Sequence, residues 1–222
     1  FEANKLGGLL IEAEAPEFKS DIRPFHKYQE TQLQKLNIPV VYKKATMDDL
    51  KDFDAVICAT GSAPVKPNIP GVDNKIALSS LEAIDSPEKV GKKVVVIGGG
   101  LVGTETALDL AEHDHDVTIV EMLPRIMNDV AATDFIAYSE RIAARDNMHV
   151  VTATKLDEVL DDGVLVSNKK KGQYKIDADT VILALGFKSR RCLYDELKEA
   201  GKEVVLVGDA QHPGKIFDAI HT

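Results

Sequence analysis

The sequence is poor in the residues that build covalent or redox-active frameworks, with two cysteines and no tryptophan among its 222 residues. Cys58 and Cys192 lie far apart and form no Cys-x-x-Cys pair, so we expect neither a disulfide framework nor a redox-active dithiol. This absence argues against a stand-alone disulfide reductase. The sparse use of cysteine is typical of a cytoplasmic protein, which is the compartment we expect.

Long apolar runs and excess positive charge are also missing. No apolar run approaches the length of a membrane span, and no signal peptide is visible. The net charge of −9 argues against a nucleic-acid or membrane-surface partner, and Lys169-Lys170-Lys171 before Gly172 is expected to be a solvated turn. The apolar share of 44% is enough for the core of one large or two small domains.

The strongest pattern begins at residue 94 and combines a strand, a glycine-rich turn and a helix. Val94–Ile97 is a run of apolar, β-branched residues typical of a buried parallel strand. A GxGxxG motif occupies Gly98–Gly103, apolar residues then recur at helical spacing, and a second strand over Asp116–Val120 ends on Glu121. This order is the dinucleotide-binding fingerprint in its required context.

Each glycine of the motif is required for a different structural reason. Gly98 allows a tight turn out of the strand, Gly100 lets the backbone approach a pyrophosphate, and Gly103 lets helix and strand pack closely. The helix begins at Leu101 and Val102, whose N–H groups and positive dipole end face the phosphates. The alternative is a glycine-rich turn that binds nothing.

The acid after the second strand predicts the choice of coenzyme. Glu121 can accept hydrogen bonds from both hydroxyls of an adenosine ribose, and its charge would repel a 2′-phosphate. Met122 supplies no cation, which favours NADH over NADPH. Arg125 is close enough in sequence to leave that preference moderate.

The rest of the chain predicts an α/β fold. We expect helices over Lys19–Leu36, Ser80–Ile84 and Val130–Ala144, strands over Val40–Tyr42, Phe53–Ala59 and Val204–Val207, and a proline-rich linker over Ser62–Asp73. Short strands with a hairpin turn at Asp161-Asp162-Gly163 predict an antiparallel meander laid on the parallel sheet. Its four strands are expected at Lys155–Leu160, Val164–Ser167, Gln173–Ile176 and Thr180–Leu185, and Gly186 closes it.

Several motifs together resemble a known family. Cys58-Ala59-Thr60-Gly61 and Ala184-Leu185-Gly186 end strands on either side of the GxGxxGxE motif, and Val207-Gly208-Asp209-Ala210 follows. This order resembles flavoprotein reductases with two dinucleotide-binding domains. More narrowly, residues 208–220 and Leu6-Gly7-Gly8-Leu9-Leu10 resemble the C-terminal FAD/NAD(H) module of NADH:flavin oxidoreductases, the group of 2-enoate reductase, 2,4-dienoyl-CoA reductase and trimethylamine dehydrogenase.

The resemblance implies two Rossmann-like, three-layer domains. An FAD-binding domain would be discontinuous, over residues 1–90 and 203–222, with the NAD(H) domain inserted at 91–202. The family's first glycine motif should precede Glu2, so the first FAD βαβ unit is expected to be truncated and the chain to be a fragment. The alternative is a single α/β domain decorated by the meander.

The resemblance also assigns roles to individual residues. Glu105, the acid of the GxGxxGxE motif, would orient the nicotinamide beside the flavin, although a carboxylate that stabilises the helix dipole explains it as well. Gly186 joins the NAD(H) site. Asp209 would accept a hydrogen bond from the FAD ribityl chain, with a helix N-cap or turn residue as the alternative. The N-terminus of the helix that starts near Lys215, with Ile216, would point at the pyrimidine edge of the flavin. The other residues implied near FAD are Glu2, Gly7, Gly8, Thr60, Gly61 and Gly208.

The implied cofactors of this chain are NADH and FAD, with no metal site. FMN and a 4Fe-4S cluster are expected only in other parts of the parent protein, a barrel and an iron–sulfur region. These two regions would be the partners of this module. The sequence leaves open whether the protein forms a homo-oligomer. The implied function is hydride transfer from NADH to FAD, for eventual reduction of an unsaturated acid or enoyl thioester. The chain alone is expected to be inactive. The alternative is a structural ADP-binding module, as in the trimethylamine dehydrogenase branch.

Overall fold

A computed structural model describes residues 1–3, 5–128 and 130–222 of the chain. The chain forms two compact units, one of residues Phe1–Ala63 with Phe187–Thr222 and one of residues Pro64–Gly186. The α-helices of the described part are α1 Leu9–Ala13, α2 Ile22–Lys35, α3 Met47–Leu50, α4 Ser80–Asp85, α5 Leu101–Glu112, α6 Ala132–Ala143, α7 Cys192–Glu199 and α8 Ile216–Ile220. Its strands are β1 Ala55–Cys58, β2 Ser62–Pro64, β3 Ala77–Ser79, β4 Lys93–Ile97, β5 Asp116–Val120, β6 Met148–Val151, β7 Thr154–Leu160, β8 Gly163–Asn168, β9 Gly172–Asp177, β10 Thr180–Leu183, β11 Phe187–Ser189 and β12 Glu203–Leu206.

The second unit is built on a parallel sheet with the strand order β3-β10-β4-β5-β6. Helices α5 and α6 connect β4, β5 and β6, which lets these strands run parallel. The central strands β4 and β10 are buried along almost their whole length, as expected for a sheet covered on both faces. The expected α/β fold class with a parallel sheet and antiparallel strands is therefore confirmed.

The antiparallel part of this unit has three strands rather than the four that we expected. Strands β7, β8 and β9 pair antiparallel, and the predicted hairpin turn ends at Gly163. The fourth segment is β10, which lies between β3 and β4 in the parallel sheet. All four residues of β10 are buried, so the segment lacks the alternation of a half-exposed strand and suits a central parallel position.

The first unit contains the parallel pair β1 and β12. Its core cluster consists of Leu50, Cys58, Leu197 and Val204. Two predictions here were wrong. The predicted strand Val40–Tyr42 makes only an isolated bridge between Tyr42 and Glu2, and the predicted linker begins with strand β2, which pairs with β11.

The unit boundaries differ from the predicted domain boundaries at both crossings. Residues 64–90 lie in the second unit because β3 pairs with β10, which also pairs with β4. Residues 187–202 lie in the first unit because Leu197 of α7 packs with the core residues of β1 and β12. Within the described ranges, no helix has the length and apolar character of a membrane span.

Candidate nucleotide-binding site

The glycine motif lies at the carboxyl end of β4, next to the carboxyl end of β10. Gly98 adopts a φ of 104°, and a Cβ there would lie 2.3 Å from the carbonyl oxygen of Ala184. A Cβ on Gly103 would lie 2.0 Å from the carbonyl oxygen of Gly98. Both positions therefore require glycine for the close approach of turn, helix and strand. Gly186, with a φ of 89°, follows β10 at the same edge of the sheet.

The start of helix α5 is open to a ligand. Gly100 is the N-cap residue, and no side chain in the described part of the chain caps this helix end. A Cβ on Gly100 would meet no atom of the described residues within 4 Å, so none of these residues fills the space that glycine leaves. The first N–H groups of an α-helix, here from Leu101 to Gly103, have no partner within the helix. This arrangement suits a pyrophosphate.

Glu121 lies directly after β5 and is 8% exposed. Its Oε2 accepts a hydrogen bond from the Gly99 N–H at 2.7 Å, and its Oε1 accepts one from the Leu123 N–H at 2.7 Å. Each carboxylate oxygen has two lone pairs, so both can still accept a ribose hydroxyl. The carboxylate thus accepts hydrogen bonds from two backbone N–H groups, in addition to its predicted role as the acceptor for the ribose hydroxyls.

Arg125 lies in the exposed loop after Glu121. Its guanidinium carbon stands 5.1 Å from the centre of the Phe135 ring, in cation–π geometry. Its Nε is 3.4 Å from Oδ1 of Asn128, a long hydrogen bond. The cation therefore rests against α6, and its predicted influence on a 2′-phosphate stays a prediction.

Glu105 faces helix α6. Its Oε1 accepts a hydrogen bond at 2.7 Å from the Tyr138 hydroxyl, and Glu105 is 8% exposed. Burial and the neighbouring Glu105 raise the pKa of Tyr138, so its hydroxyl stays a donor. Two helical turns later, Glu112 accepts hydrogen bonds from Arg141 and Arg145 of α6. Glu105 thus lies on the face of α5 that contacts α6, and its role at a nicotinamide stays a prediction.

Replacing Tyr138 with phenylalanine is expected to lower the free energy of unfolding of the second unit by about 1–3 kcal/mol, because the buried Glu105 carboxylate loses a donor. Denaturant titration measures the change. Tyr28→Phe is the control for the loss of a tyrosine hydroxyl, since Tyr28 lies in the first unit, is 60% exposed and should leave the stability of the second unit unchanged. Equal stability of both variants would contradict the prediction.

The residues implied near FAD all lie in the first unit, and four of them meet at the carboxyl ends of β1 and β12. These are Thr60, Gly61, Gly208 and Asp209. Asp209 accepts hydrogen bonds from the Ser62 hydroxyl at 2.9 Å and from the Gly214 N–H at 3.1 Å. The Thr60 hydroxyl and the Gly61 carbonyl both bind the backbone of Arg190.

Helix α8 begins beside this group, at Ile216. The Gly208 N–H donates a hydrogen bond at 2.8 Å to Oγ1 of Thr222, just past the end of this helix, and a Cβ added to Gly208 would lie 3.6 Å from the Cβ of Ala219. The helix has five residues, and Ile216 is 39% exposed. The sequence therefore placed the start of α8 correctly.

The other residues implied near FAD are held by separate contacts. Glu2 pairs through its backbone with Val41 and Lys43. Gly7 and Gly8 both adopt positive φ, and a Cβ on Gly7 would lie 2.5 Å from Nε2 of His26. That imidazole nitrogen is also 3.1 Å from the Leu6 carbonyl oxygen. The turn before α1 is thus anchored to α2.

Sequence reasoning missed the side chains that position these groups. Ser62, which is 1% exposed and binds Asp209, was assigned to a linker. Its signal was its place directly after Gly61, whose φ of 67° turns the chain. Tyr138 gave no signal, because a single tyrosine in an amphipathic helix does not reveal a partner on another helix.

The chain is similar over nearly its whole length to known oxidoreductases. The chain is similar to cinnamate reductase of Clostridium sporogenes, with 32% identity over an alignment of 227 positions. The alignment covers 97% of this chain and 33% of that protein. The chain is also 36% identical over 228 residues to an NADH oxidase of Thermoanaerobacter brockii, covering 97% of this chain and 34% of the oxidase. The chain thus spans about a third of the length of these relatives.

The solved structure of a 2-naphthoyl-CoA reductase complex with 2-naphthoyl-CoA is similar to the whole fold. It matches 99% of this chain and 34% of that protein with a TM-score of 0.93 and 30% identity. The resemblance stated from sequence is therefore confirmed, and the expected cofactors, a nicotinamide dinucleotide and FAD, agree with the NADH oxidase relative and with the family that the chain matches. Residues 11–212 match the family described as pyridine nucleotide-disulphide oxidoreductase. The chain belongs to the pyridine nucleotide-disulphide oxidoreductase family.

Proposed function

We propose that this chain is the reductase module of a longer oxidoreductase, with NADH bound by the second unit and FAD by the first. The observation that carries the proposal is the open start of α5, where Gly100 leaves unfilled space beside uncapped helix N–H groups. The second unit, Pro64–Gly186, is the proposed NAD(H) domain, and the discontinuous first unit is the proposed FAD domain.

The chain's own groups would bind and orient the two cofactors. The N–H groups of Leu101, Val102 and Gly103 would hold the pyrophosphate of NADH, and the Glu121 carboxylate would accept the hydroxyls of its adenosine ribose. Asp209 would accept a hydrogen bond from the FAD ribityl chain. NADH supplies a hydride and FAD accepts it, so no nucleophile or metal is required of the protein.

The substrate of the whole protein is a further part of the proposal. Cinnamate reductase and 2-naphthoyl-CoA reductase are named after an unsaturated acid and an aromatic thioester, and both match this chain over nearly its full length. We therefore infer that electrons from NADH finally reduce an unsaturated acid or an enoyl thioester. The barrel with FMN and the region with a 4Fe-4S cluster would belong to the remainder of the longer protein.

Calorimetric titration of the chain with NADH, NADPH, ADP and FAD in separate runs tests the proposal. We expect NADH to bind at least tenfold more tightly than NADPH, because Glu121 repels a 2′-phosphate. FAD is expected to bind weakly to the chain alone. Absence of NADH binding would contradict the proposal, and ADP binding as tight as NADH binding would favour the structural nucleotide module instead.

A further inference from the structure

The glycine turn is attached to the segment that follows β5. The N–H of Gly99 donates to Oε2 of Glu121 at 2.7 Å, and the carbonyl oxygen of Gly99 accepts the N–H of Met127 at 2.6 Å. Both backbone groups of Gly99 are therefore used by residues more than twenty positions away. Gly99 is the variable position of GxGxxG, to which the motif itself assigns no role.

Side chains close the same contact. A Cβ on Gly99 would lie 2.5 Å from Cγ2 of Ile126 and 3.2 Å from Cβ of Glu121. Ile126 is 7% exposed and Met127 is 1% exposed, so this segment is part of the core. Met127 has a φ of 51°, which is rare for a residue other than glycine. Met127 adopts this conformation at the point where its N–H donates a hydrogen bond to the Gly99 carbonyl oxygen.

We propose that Glu121 is a positioning residue for the glycine turn as well as the acceptor for the adenosine ribose. The proposal rests on the proposed NADH site. If so, the charge of Glu121 contributes to the binding of every ligand whose pyrophosphate the glycine turn holds. Removing this charge is then not enough to make the site prefer NADPH over NADH.

The chemistry of the contact between Glu121 and the backbone supports the positioning role of Glu121 and explains why its charge is needed. An ionised carboxylate is an acceptor at both oxygens, which matches the N–H groups of Gly99 and Leu123. A glutamine offers one acceptor oxygen and one NH₂ group, so one of these N–H groups would face a donor. At a site that is 8% exposed, water cannot easily replace the lost partner.

The first test needs no nucleotide. Amide hydrogen exchange of Gly99 and Leu123, followed by NMR on the ligand-free chain, should be at least tenfold faster at one of them in Glu121→Gln than in the wild type. Glu82→Gln is the matched control, because Glu82 accepts hydrogen bonds from the N–H and hydroxyl of Ser79 elsewhere in the same unit. Unchanged exchange at both amides would overturn the proposal.

The second test compares the two coenzymes. In Glu121→Gln we expect the affinities for NADH and NADPH both to fall, NADH by at least tenfold, because displacement of the glycine turn outweighs the repulsion of the 2′-phosphate that is removed. Tighter NADPH binding than in the wild type would overturn the proposal, because the gain from removing the repulsion would then exceed any loss from the turn. If the wild type binds neither coenzyme, the proposed function fails, while the exchange experiment still decides whether Glu121 holds the turn.

A pair of variants tests the contact from the other side. Gly99→Ala should lose NADH affinity at least tenfold, because its Cβ would collide with Ile126. Adding Ile126→Ala removes the colliding Cγ2 atom and should restore part of the lost affinity. Gly100→Ala, whose Cβ enters open space, should not be rescued by Ile126→Ala. Equal affinities of Gly99→Ala with and without the second change would contradict the proposed contact.

Discussion

Replacing Gly103 with alanine is expected to reduce NADH affinity at least 100-fold and to lower the free energy of unfolding of the second unit by about 1–3 kcal/mol. The added Cβ would lie 2.0 Å from the carbonyl oxygen of Gly98 and 3.1 Å from the Cβ of Ala184. The backbone oxygen cannot rotate away like a side chain, so α5 must move off β4. That movement displaces the helix start that is proposed to hold the pyrophosphate.

Calorimetric titration measures the affinity, and denaturant titration measures the stability. Gly172→Ala is the control, because Gly172 lies at the β8–β9 turn with a φ of 73° and its added Cβ would have no atom of the described chain within 4 Å. Its cost is the backbone strain alone, about 1–2 kcal/mol, with no change in NADH affinity. If Gly103→Ala binds NADH like the wild type, the close approach of α5 to β4 is not required for binding.

The nucleotide site could be predicted from sequence where its parts are local. The β4 strand, the glycine turn and the start of α5 follow one another in the chain, so periodicity and glycine spacing are enough to find them. Glu121 was found for the same reason, because it ends the next strand. Its hydrogen bond to Gly99, however, joins residues on two different strand ends, and no local pattern reports such a pair.

The wrong predictions have a common physical cause. Thr180–Leu185 follows three short strands and was therefore assigned to the meander, although its unbroken apolar run from Val181 to Leu185 lacks the alternation of a half-exposed strand and is consistent with a buried parallel strand. Its burial between β3 and β4 is set by residues that are about a hundred positions away. Tertiary pairing likewise makes Ser62–Pro64 a strand despite its proline, because β11 lies beside it.

Leu197 is part of the hydrophobic core of the discontinuous first unit. Leu197 of α7 is fully buried, and it packs with Leu50, Cys58 and Val204. This cluster joins residues from the two separate parts of the unit, 1–63 and 187–222. Leu197→Ala is therefore expected to lower the free energy of unfolding of the first unit by about 2–5 kcal/mol, through lost burial and the cavity that remains.

Denaturant titration with residue-resolved amide signals would separate the two units. Leu36→Ala is the control, because Leu36 is 67% exposed and its truncation leaves no cavity. The affinity for NADH should stay unchanged in Leu197→Ala, since every residue proposed to bind NADH lies between residues 64 and 186. A loss of NADH affinity would mean that the second unit does not hold its site independently of the core around Leu197.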